Sequence, residues 1–434
     1  MVAITRVKES VKTPAEKAPE PNMGSEIIPK ERYISKEFMQ LEWERMWSKV
    51  WLIGCREEEI PEVGDYVTTD IGPESLLIVR GEDMKPRVFY NVCNHRGNQV
   101  KFDECGNSKT LQCAYHFWEY ALDGTLINVP DEEDFTQGCP KDKLSLKEIN
   151  SGTWAGFVWF NLNPDAEPLE DFLGILPEHL DPYHFETMAM TMNVTMEWDC
   201  NWKTSVDAFN EVYHVQCIHP ELSYTIDDVD VQIDLYDKHN RYLVPFKTYS
   251  PRLGEDLDEV PEGLRQELLQ IGMNPDDFNG RVEDIRREVQ LYKRANEEKL
   301  GYDYSDFNDD QLSDDYHYMM FPNITMNIHA ESMMMFRQRP HESDPNKMLF
   351  DVQMFVQLPE GSEKPPLPDH EQHKHGERSL GLVLDQDSVN LPHVQKGMAS
   401  EAYQGLWISS QERRIRHMHK TLMDYINGEH ANDA

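Results

Sequence analysis

Two short segments each bring one cysteine and one histidine together, and they constrain the fold of this chain more than any other feature. They read Cys93-x-His95 and Cys113-x-x-His116. Two thiolates and two imidazoles on tight turns can hold a zinc ion, or a two-iron cluster with both histidines on one iron. Zinc fingers usually pair cysteine with cysteine and histidine with histidine, so the mixed pairing favours the iron cluster.

The residues around these pairs indicate an all-β domain. Short β-like runs such as YVTTD, SLLIVRG and RVFYNV alternate with Gly, Pro and Asp across residues 50–165. Residues 29–49 carry apolar side chains at mostly helical spacing, which predicts an amphipathic helix, and we expect it to pack on the domain at 166–434. Residues 1–28 are rich in Lys, Glu and Pro, and we expect a mobile tail.

The two pairs, followed by Asp123-Gly124, resemble the Rieske [2Fe-2S] motif. The resemblance implies that Cys93 and Cys113 hold one iron. It implies that His95 and His116 hold the outer iron near the surface. The domain at 50–165 is therefore expected to be a Rieske domain that carries electrons.

One residue of the motif departs from the pattern, and the remaining cysteines lie outside it. Phe117 stands where many family members have glycine, so the loop is expected to change shape without losing a ligand. The other cysteines have no ligand-like partners nearby, and we expect small, buried hydrophobic residues at those positions. They are Cys55, Cys105, Cys139, Cys200 and Cys217.

After a linker rich in Pro, Asp and Glu, residues 166–434 mix helical and strand-like patterns. Strand-like runs include NITMNIHAESMMMFRQR and KMLFDVQMFVQL. Their methionines could line an apolar cavity or pack in the core. The other predicted elements are a strand at 190–200, helices at 202–217, 281–298 and 406–428, and a solvated acidic loop at 307–316.

Within the predicted helix at 202–217, Glu211 and His214 share one face, and His219 can converge with them if the helix ends near Pro220. Two neutral imidazoles and a carboxylate on one face of Fe(II) form the facial triad of non-haem oxygenases. Such a histidine pair is a weak signal alone, but it is strong beside a Rieske motif.

The segment from Asn201-Trp202-Lys203 to His219-Pro220 resembles the catalytic domain of Rieske non-haem iron oxygenase α subunits. The resemblance covers both domains. It implies an α+β fold in which the all-β Rieske domain precedes a mixed α/β catalytic domain. That catalytic domain, residues 166–434, is expected to be built on an antiparallel sheet with flanking helices.

The same resemblance assigns Glu211 a different role, because this position matches an acidic bridge between a Rieske histidine of one subunit and an iron histidine of its neighbour. Many members have Asp there, and Glu lengthens the bridge while keeping its charge. The third iron ligand then comes from LVLDQDSVNLPHVQKGM. Asp387, which precedes Gln395 at the family's spacing, is the first choice, with Asp385 as the alternative.

The resemblance implies a terminal oxygenase with a [2Fe-2S] cluster, a mononuclear Fe(II) and O2 as co-substrate. It would hydroxylate, dihydroxylate or demethylate a small organic substrate. An aromatic or alicyclic compound is expected, and an acidic or quaternary-amine substrate stays open. No nicotinamide or flavin fingerprint is present, so electrons from NAD(P)H must pass through a separate reductase, with or without a ferredoxin. A pure electron carrier and a redox-inert zinc scaffold are the alternatives.

The net charge of the chain, its lack of long apolar runs and the expected bridge bear on its partners and assembly. A formal net charge of −37 excludes binding driven by nucleic-acid phosphates. No apolar run is long enough for a membrane span, so we expect a soluble cytoplasmic protein that contacts no membrane. The bridge implies a ring of three α subunits, and the C-terminal segment resembles those of homotrimeric members. An α3β3 assembly stays open.

Overall fold

The computed structural model describes residues 15–139, 141–254 and 257–429. The strands are β1 Ile28–Pro29, β2 Leu52–Arg56, β3 Asp65–Ile71, β4 Glu74–Arg80, β5 Pro86–Tyr90, β6 Cys105–Asn107, β7 Leu111–Gln112, β8 Glu119–Tyr120, β9 Leu126–Asn128, β10 Glu148–Trp154, β11 Phe157–Asn161, β12 Ala189–Trp198, β13 Gln232–Leu235, β14 Asn240–Val244, β15 Asp315–Met320, β16 Ile324–His329, β17 Ser332–Pro340, β18 Met348–Val356, β19 Glu371–Lys374 and β20 Gly405–Leu406.

The α-helices are α1 Glu31–Ile34, α2 Lys36–Glu42, α3 Leu169–Leu173, α4 Leu176–Leu180, α5 Trp202–Phe209, α6 Val215–Ile218, α7 Glu262–Gln270, α8 Ile285–Ala295, α9 Glu297–Leu300, α10 Leu382–Met398 and α11 Arg413–Asn427. A π-helical turn at Trp43–Trp47 follows α2. Short 3-10 turns lie at Glu57–Glu59, Glu132–Asp134, Lys141–Lys143, Asp181–Tyr183, Phe185–Thr187, Pro220–Tyr224, Pro251–Leu253, Pro275–Phe278, Val282–Asp284, Asp310–Leu312 and Ser410–Glu412.

The smaller of two compact units, which we call the β unit, comprises Gln40–Pro177 and His184–Thr187. Its main sheet is antiparallel, with the strand order β2-β11-β10-β5-β4-β3-β6, and β7-β8-β9 form a second sheet. Cys93 and Cys113 belong to its hydrophobic core. The two cysteine-containing loops are therefore anchored in packed structure.

The larger unit comprises the residues up to Met39, Glu178–Tyr183 and Met188–Ala434. Its sheet has the order β13-β14-β15-β16-β17-β18-β12-β19, and every neighbouring pair is antiparallel except β12 and β19. Helix α5 covers one face, where Phe209 packs on Phe336 and Phe350 with ring centroids 4.7 and 5.8 Å away. The predicted α+β architecture and the strand at 190–200 are confirmed.

The methionines of β17 divide between two environments, as alternation along a strand requires. Met333 and Met335 are 0 and 1% exposed, whereas Met334 is half-buried. Met319 and Met320 of β15 are also buried. Core packing is therefore the role of these four buried methionines, and Met334 alone among the five is partly accessible.

The predicted helix at 202–217 is wrong, because the structure divides it. Helix α5 ends before Asn210, and α6 begins at Val215. Between them, the Glu211 carboxylate accepts the backbone N–H of His214 at 3.0 Å. This carboxylate competes for the N–H that would continue the first helix, so the chain turns and a new helix starts.

The acidic segment at 307–316 was predicted to be a solvated loop, and this prediction is also wrong. Asp314 and Asp315 are each 3% exposed. Arg286 of α8 donates to Asp314 and to Asp310, in both cases at 2.7 Å. Burial raises the pKa of Asp315 to about 8, despite a backbone hydrogen bond and nearby Arg414. The arginines that pair with this segment lie too far away in the sequence for a local pattern to reveal them.

The chain termini differ in part from the sequence-based expectation. The predicted helix at 29–49 is interrupted at Ser35, whose backbone is extended. Residues 1–14 of the expected tail lie outside the described residues, while the Ala18 N–H donates to Asp234 at 2.7 Å. The C-terminal helix begins at Arg413, after a capping box formed by Ser409 and Glu412, and not at residue 406.

Other local predictions have mixed outcomes. Helix α8 confirms the surface helix expected within 281–298. Cys55 and Cys200 are buried as expected, but Cys105 and Cys217 are exposed, so that prediction is wrong for both. In the described part of the chain, no helix has the length and apolar character that crossing a bilayer requires.

Candidate metal centres

Two loops of the β unit have the same backbone hydrogen bonds. In the first, the Cys93 N–H donates to Asn98 O at 2.7 Å, and the Gly97 N–H donates to Cys93 O at 3.0 Å. In the second, the Cys113 N–H donates to Trp118 O at 2.9 Å, and the Phe117 N–H donates to Cys113 O at 3.0 Å. Each loop therefore holds one cysteine and one histidine in a fixed turn.

Phe117 occupies the position in the second loop that Gly97 occupies in the first. Both residues have a left-handed backbone, with φ of 58° for Phe117 and 76° for Gly97. The left-handed conformation is unfavourable for a bulky residue, and glycine adopts it freely. The backbone hydrogen bonds are nevertheless equivalent, so the phenylalanine keeps the turn at a conformational cost.

The ligand side chains of the two loops lie at different depths. Cys93 and Cys113 are 2 and 1% exposed, while both histidines are half-buried. The rings of His95 and His116 approach to 4.6 Å between centroids, and Trp118 stacks on His95 at 4.7 Å. The two imidazoles thus lie side by side and partly exposed, while the two thiols of the same loops are buried.

The chemistry of this set fits an iron-sulfur cluster. His95 Nδ1 is buried and has no hydrogen-bond partner among the described residues. Burial, together with the charges of His116 and Arg96, lowers the pKa of His95, which favours the neutral imidazole that a metal ligand requires. Tyr120 Oη lies 3.2 Å from Cys93 Sγ. A hydrogen bond to a ligand sulfur is one of the factors that set a cluster's potential.

In the larger unit, His214, His219 and Asp387 bring three candidate ligand atoms within 4.8 Å of one another. His214 immediately precedes α6, His219 follows it, and Asp387 lies on α10. Asp387 Oδ1 is 3.1 Å from His219 Nε2 and 3.9 Å from His214 Nε2. Two imidazoles and a carboxylate in this arrangement can hold Fe(II) and leave coordination positions open.

The Nδ1 atom of each imidazole has its own hydrogen-bond acceptor. Glu211 Oε1 lies 2.5 Å from His214 Nδ1, and Gln386 Oε1 lies 2.6 Å from His219 Nδ1. An acceptor at Nδ1 fixes the proton there and leaves Nε2 free to bind a metal. Gln386 has no role among the sequence-based predictions; its position immediately before the acidic ligand is the signal that could have revealed it.

Nearby charges change the pKa of His214. Burial pulls the pKa of His214 down, but the hydrogen bond and charge of Glu211, with the charge of Asp387, outweigh this and raise it. Glu211 therefore stabilises positive charge on the His214 imidazole in the metal-free protein.

Asp385, the alternative third ligand, has a different structural role. Its carboxylate accepts the Leu380 N–H at 2.9 Å and the Ser379 hydroxyl at 2.5 Å, so it holds the turn that leads into α10. Asp387 is 4% exposed and faces the two histidines. Of the two candidate carboxylates, only Asp387 belongs to the cluster.

Comparison with known proteins agrees with both sites. The family described as "Ring hydroxylating alpha subunit (catalytic domain)" matches residues 185–428, and the Rieske [2Fe-2S] domain matches residues 50–145. The first match covers more than half of the chain. The protein therefore belongs to the family of ring-hydroxylating α subunits and carries a Rieske [2Fe-2S] domain. The mononuclear iron site typical of this family corresponds to the His214, His219 and Asp387 triad.

Curated relatives act on different kinds of substrate. The glycine betaine monooxygenase oxygenase subunit of Pseudomonas aeruginosa (strain UCBPP-PA14) is 32% identical over 207 residues, 46% of this chain and 47% of that protein. The carnitine monooxygenase oxygenase subunit of Escherichia coli (strain K12) is 33% identical over 52% of this chain and 59% of its own length. The biphenyl dioxygenase subunit alpha of Paraburkholderia xenovorans (strain LB400) is 33% identical over 42% of each. The matched segments thus span about half the length of these relatives.

Solved structures share the fold over nearly the whole chain. The quaternary ammonium Rieske monooxygenase CntA in complex with L-carnitine has a TM-score of 0.67 and 19% identity, covering 95% of this chain and 99% of that one. Naphthalene 1,2-dioxygenase with indole bound has a TM-score of 0.66 and 18% identity, covering 94% of both chains. At this level of identity, the similarity establishes the fold alone.

Proposed function

We propose that this chain is the terminal oxygenase of a multicomponent Rieske system. The observation that carries the proposal is the convergence of three ligand atoms within 4.8 Å in the larger unit, in addition to the cysteine and histidine loops of the β unit. An electron carrier has no use for a second metal site. The proposed cluster ligands are Cys93, His95, Cys113 and His116, and the proposed Fe(II) ligands are His214, His219 and Asp387.

The side chains of the triad prepare a site for Fe(II), which when bound would supply the activation of O2 at its open positions. With the metal bound, His214 and His219 would each offer an imidazole nitrogen, and the buried Asp387 would offer a carboxylate oxygen. The acceptors on the two Nδ1 atoms hold both rings with Nε2 toward the carboxylate. Ligands held in this way need little reorganisation to bind the metal.

We further propose that Glu211 forms the bridge by which electrons reach the iron from a neighbouring subunit. Its two oxygens each accept one hydrogen bond from His214, at Nδ1 and at the backbone N–H. A carboxylate oxygen has a second acceptor site, so an imidazole N–H of another chain could join this network. A homotrimer, fed by a separate reductase with or without a ferredoxin, is the assembly that suits this role.

The substrate is proposed to be a small organic molecule that is hydroxylated, dihydroxylated or demethylated. Relatives of similar identity are named for glycine betaine, carnitine and biphenyl, which supports both quaternary ammonium and aromatic compounds. An aromatic or alicyclic substrate was the sequence-based expectation. The quaternary ammonium class therefore belongs in the first set of compounds to be tested.

The experiment that tests the proposal measures O2 consumption and products. The purified chain, a Rieske-system reductase and NADH are mixed with each compound of a panel of quaternary ammonium and aromatic compounds. Substrate-dependent O2 consumption with an oxygenated or demethylated product by mass spectrometry is expected. A pure electron carrier would be reduced and reoxidised without forming any product, and this result across the panel would favour that alternative.

A further inference from the structure

The imidazole of His219 is held on both sides by consecutive residues of one helix. Gln386 Oε1 lies 2.6 Å from His219 Nδ1, and Asp387 Oδ1 lies 3.1 Å from Nε2. The side chains of consecutive residues in an α-helix point about 100° apart. The His219 ring can therefore contact Gln386 and Asp387 together only in a restricted orientation. Helix α10 therefore sets the orientation of this ring as well as supplying a ligand.

The other iron histidine is held differently. His214 Nδ1 meets the carboxylate of Glu211, which lies three residues earlier in the same loop. The acceptor on His219 is a neutral amide, whereas the acceptor on His214 is charged. A charged acceptor raises the basicity of an imidazole ligand more than a neutral one does. The two histidines are therefore inequivalent as ligands.

The charges near the triad are balanced for a divalent ion. Asp387 contributes one negative charge and Glu211 contributes another. Fe(II) would neutralise both. A glutamate in place of Gln386 would keep an acceptor on His219 but would leave the site with an excess negative charge, which favours the ferric over the ferrous ion.

We infer that Gln386 is the positioning residue for the iron ligand His219: it fixes the proton on Nδ1 and directs Nε2 to the metal without adding charge. This inference rests on the mononuclear iron site of the proposed function. It assigns to Gln386 the role of hydrogen-bond acceptor for the His219 ring.

The neighbouring residue provides a matched control. Asp385 lies one position earlier on α10 and accepts hydrogen bonds from Leu380 and Ser379, which precede the helix. Asp385→Asn perturbs the same helix turn without touching an iron ligand. Gln386→Met keeps the length and flexibility of the side chain but removes the strong oxygen acceptor. Gln386→Glu keeps the acceptor and adds the charge.

The test measures Fe(II) affinity on the full chain with its cluster in place, by competition with a chelator after the mononuclear site has been emptied. Gln386→Met is expected to bind Fe(II) about 10- to 100-fold more weakly, as is typical when an outer hydrogen-bond partner is lost. Gln386→Glu is expected to bind at least as tightly as the wild type. Asp385→Asn is expected to match the wild type. The cluster's visible spectrum confirms that each variant is folded.

A second readout separates positioning from simple support of the fold. Co(II) in the mononuclear site gives absorption bands that report ligand geometry, and Gln386→Met should shift them while Asp385→Asn should not. The Fe(II) affinity of Gln386→Asn, which shortens the amide side chain, should lie between those of Gln386→Met and the wild type. This variant replaces Gln386→Met if Gln386→Met does not fold.

The Fe(II) affinities of the variants distinguish the proposed role of Gln386 from its alternatives. Wild-type affinity in Gln386→Met, or equal weakening in Gln386→Met, Gln386→Glu and Asp385→Asn, would overturn the role given to Gln386. Weakening in Gln386→Met alone, with recovery in Gln386→Glu, would support it. A wild-type chain that binds no Fe(II) outside its cluster would instead refute the proposed function.

Discussion

The two metal centres of this protein are built from different kinds of structure. In the β unit, each loop supplies a cysteine and a histidine from one short turn, and backbone hydrogen bonds fix that turn. In the larger unit, His219 and Asp387 are 168 residues apart. The Nδ1–H groups of these histidines donate to Glu211 and Gln386, which orient the rings there.

The difference determines how each centre responds to change. A backbone-held loop tolerates most side chains outside the ligands, because its hydrogen bonds do not depend on them. A centre held by side chains depends on residues that bind no metal. The second centre is therefore expected to be the more sensitive of the two to substitutions of neighbouring residues.

The largest expected effect is on the triad. Asp387→Ala should abolish turnover, because it removes the only anionic ligand and leaves two imidazoles to hold the ion. The Rieske spectrum should be unchanged, since its ligands lie in the β unit. Steady-state O2 consumption and the visible spectrum check both points. Asp385→Ala is the matched control, and loss of activity in that variant but not in Asp387→Ala would show that the ligand assignment is wrong.

The next effect concerns the cluster. His95→Cys should lower the reduction potential by roughly 200 mV or more, because a neutral imidazole becomes an anionic thiolate; Rieske centres lie at about −150 to +300 mV and all-cysteine plant-type clusters near −400 mV. A redox titration followed by electron paramagnetic resonance measures the change. An unchanged potential would mean that His95 does not bind the iron.

The bridge is expected to give a smaller effect. Glu211→Gln should preserve both metal centres but slow cluster reoxidation about 10- to 100-fold, because the amide carries no charge to support the linked imidazoles. Single-turnover kinetics with substrate and O2 measure the rate. Wild-type kinetics, or a stable monomer with full activity, would exclude this residue as the bridge.

The smallest effect tests the backbone of the second loop. Phe117→Gly should stabilise the protein by up to about 1 kcal/mol, because it relieves a left-handed residue at a cost of about 1–2 kcal/mol and adds glycine's entropy penalty of about 0.5–1 kcal/mol. Denaturant unfolding followed through the cluster absorbance measures this. Gly97→Ala is the counterpart: a Cβ there meets no atom within 4 Å, so any destabilisation comes from the backbone alone. Destabilisation by Phe117→Gly would show that the phenylalanine is required for packing.

The sequence was most informative where structure is local. The cysteine and histidine pairs could be recognised from spacing because each pair lies within one turn. The strand at 190–200 could be recognised because alternation reports burial directly. Asp387 required knowledge of a family, since nothing local connects it with the two histidines that flank α6.

Three features that the sequence did not predict share one cause. The break between α5 and α6 depends on the Glu211 carboxylate, which accepts the His214 N–H, and helical periodicity does not register such a contact. The burial of Asp314 depends on Arg286 of another element. Gln386 acts through a ring that lies far away along the chain. In each case a side-chain hydrogen bond that apolar periodicity does not register determined the outcome.

The central claim is that one chain holds two separate metal centres, and iron content tests it most directly. Iron and zinc per chain are measured in the purified protein, together with electron paramagnetic resonance of the reduced sample. The account predicts about three irons per chain, two in a cluster with a Rieske-type signal and one at the triad, which Asp387→Ala should reduce to about two. A protein that contains zinc instead of iron, lacks the Rieske-type signal, or keeps all its iron in Asp387→Ala would contradict the account.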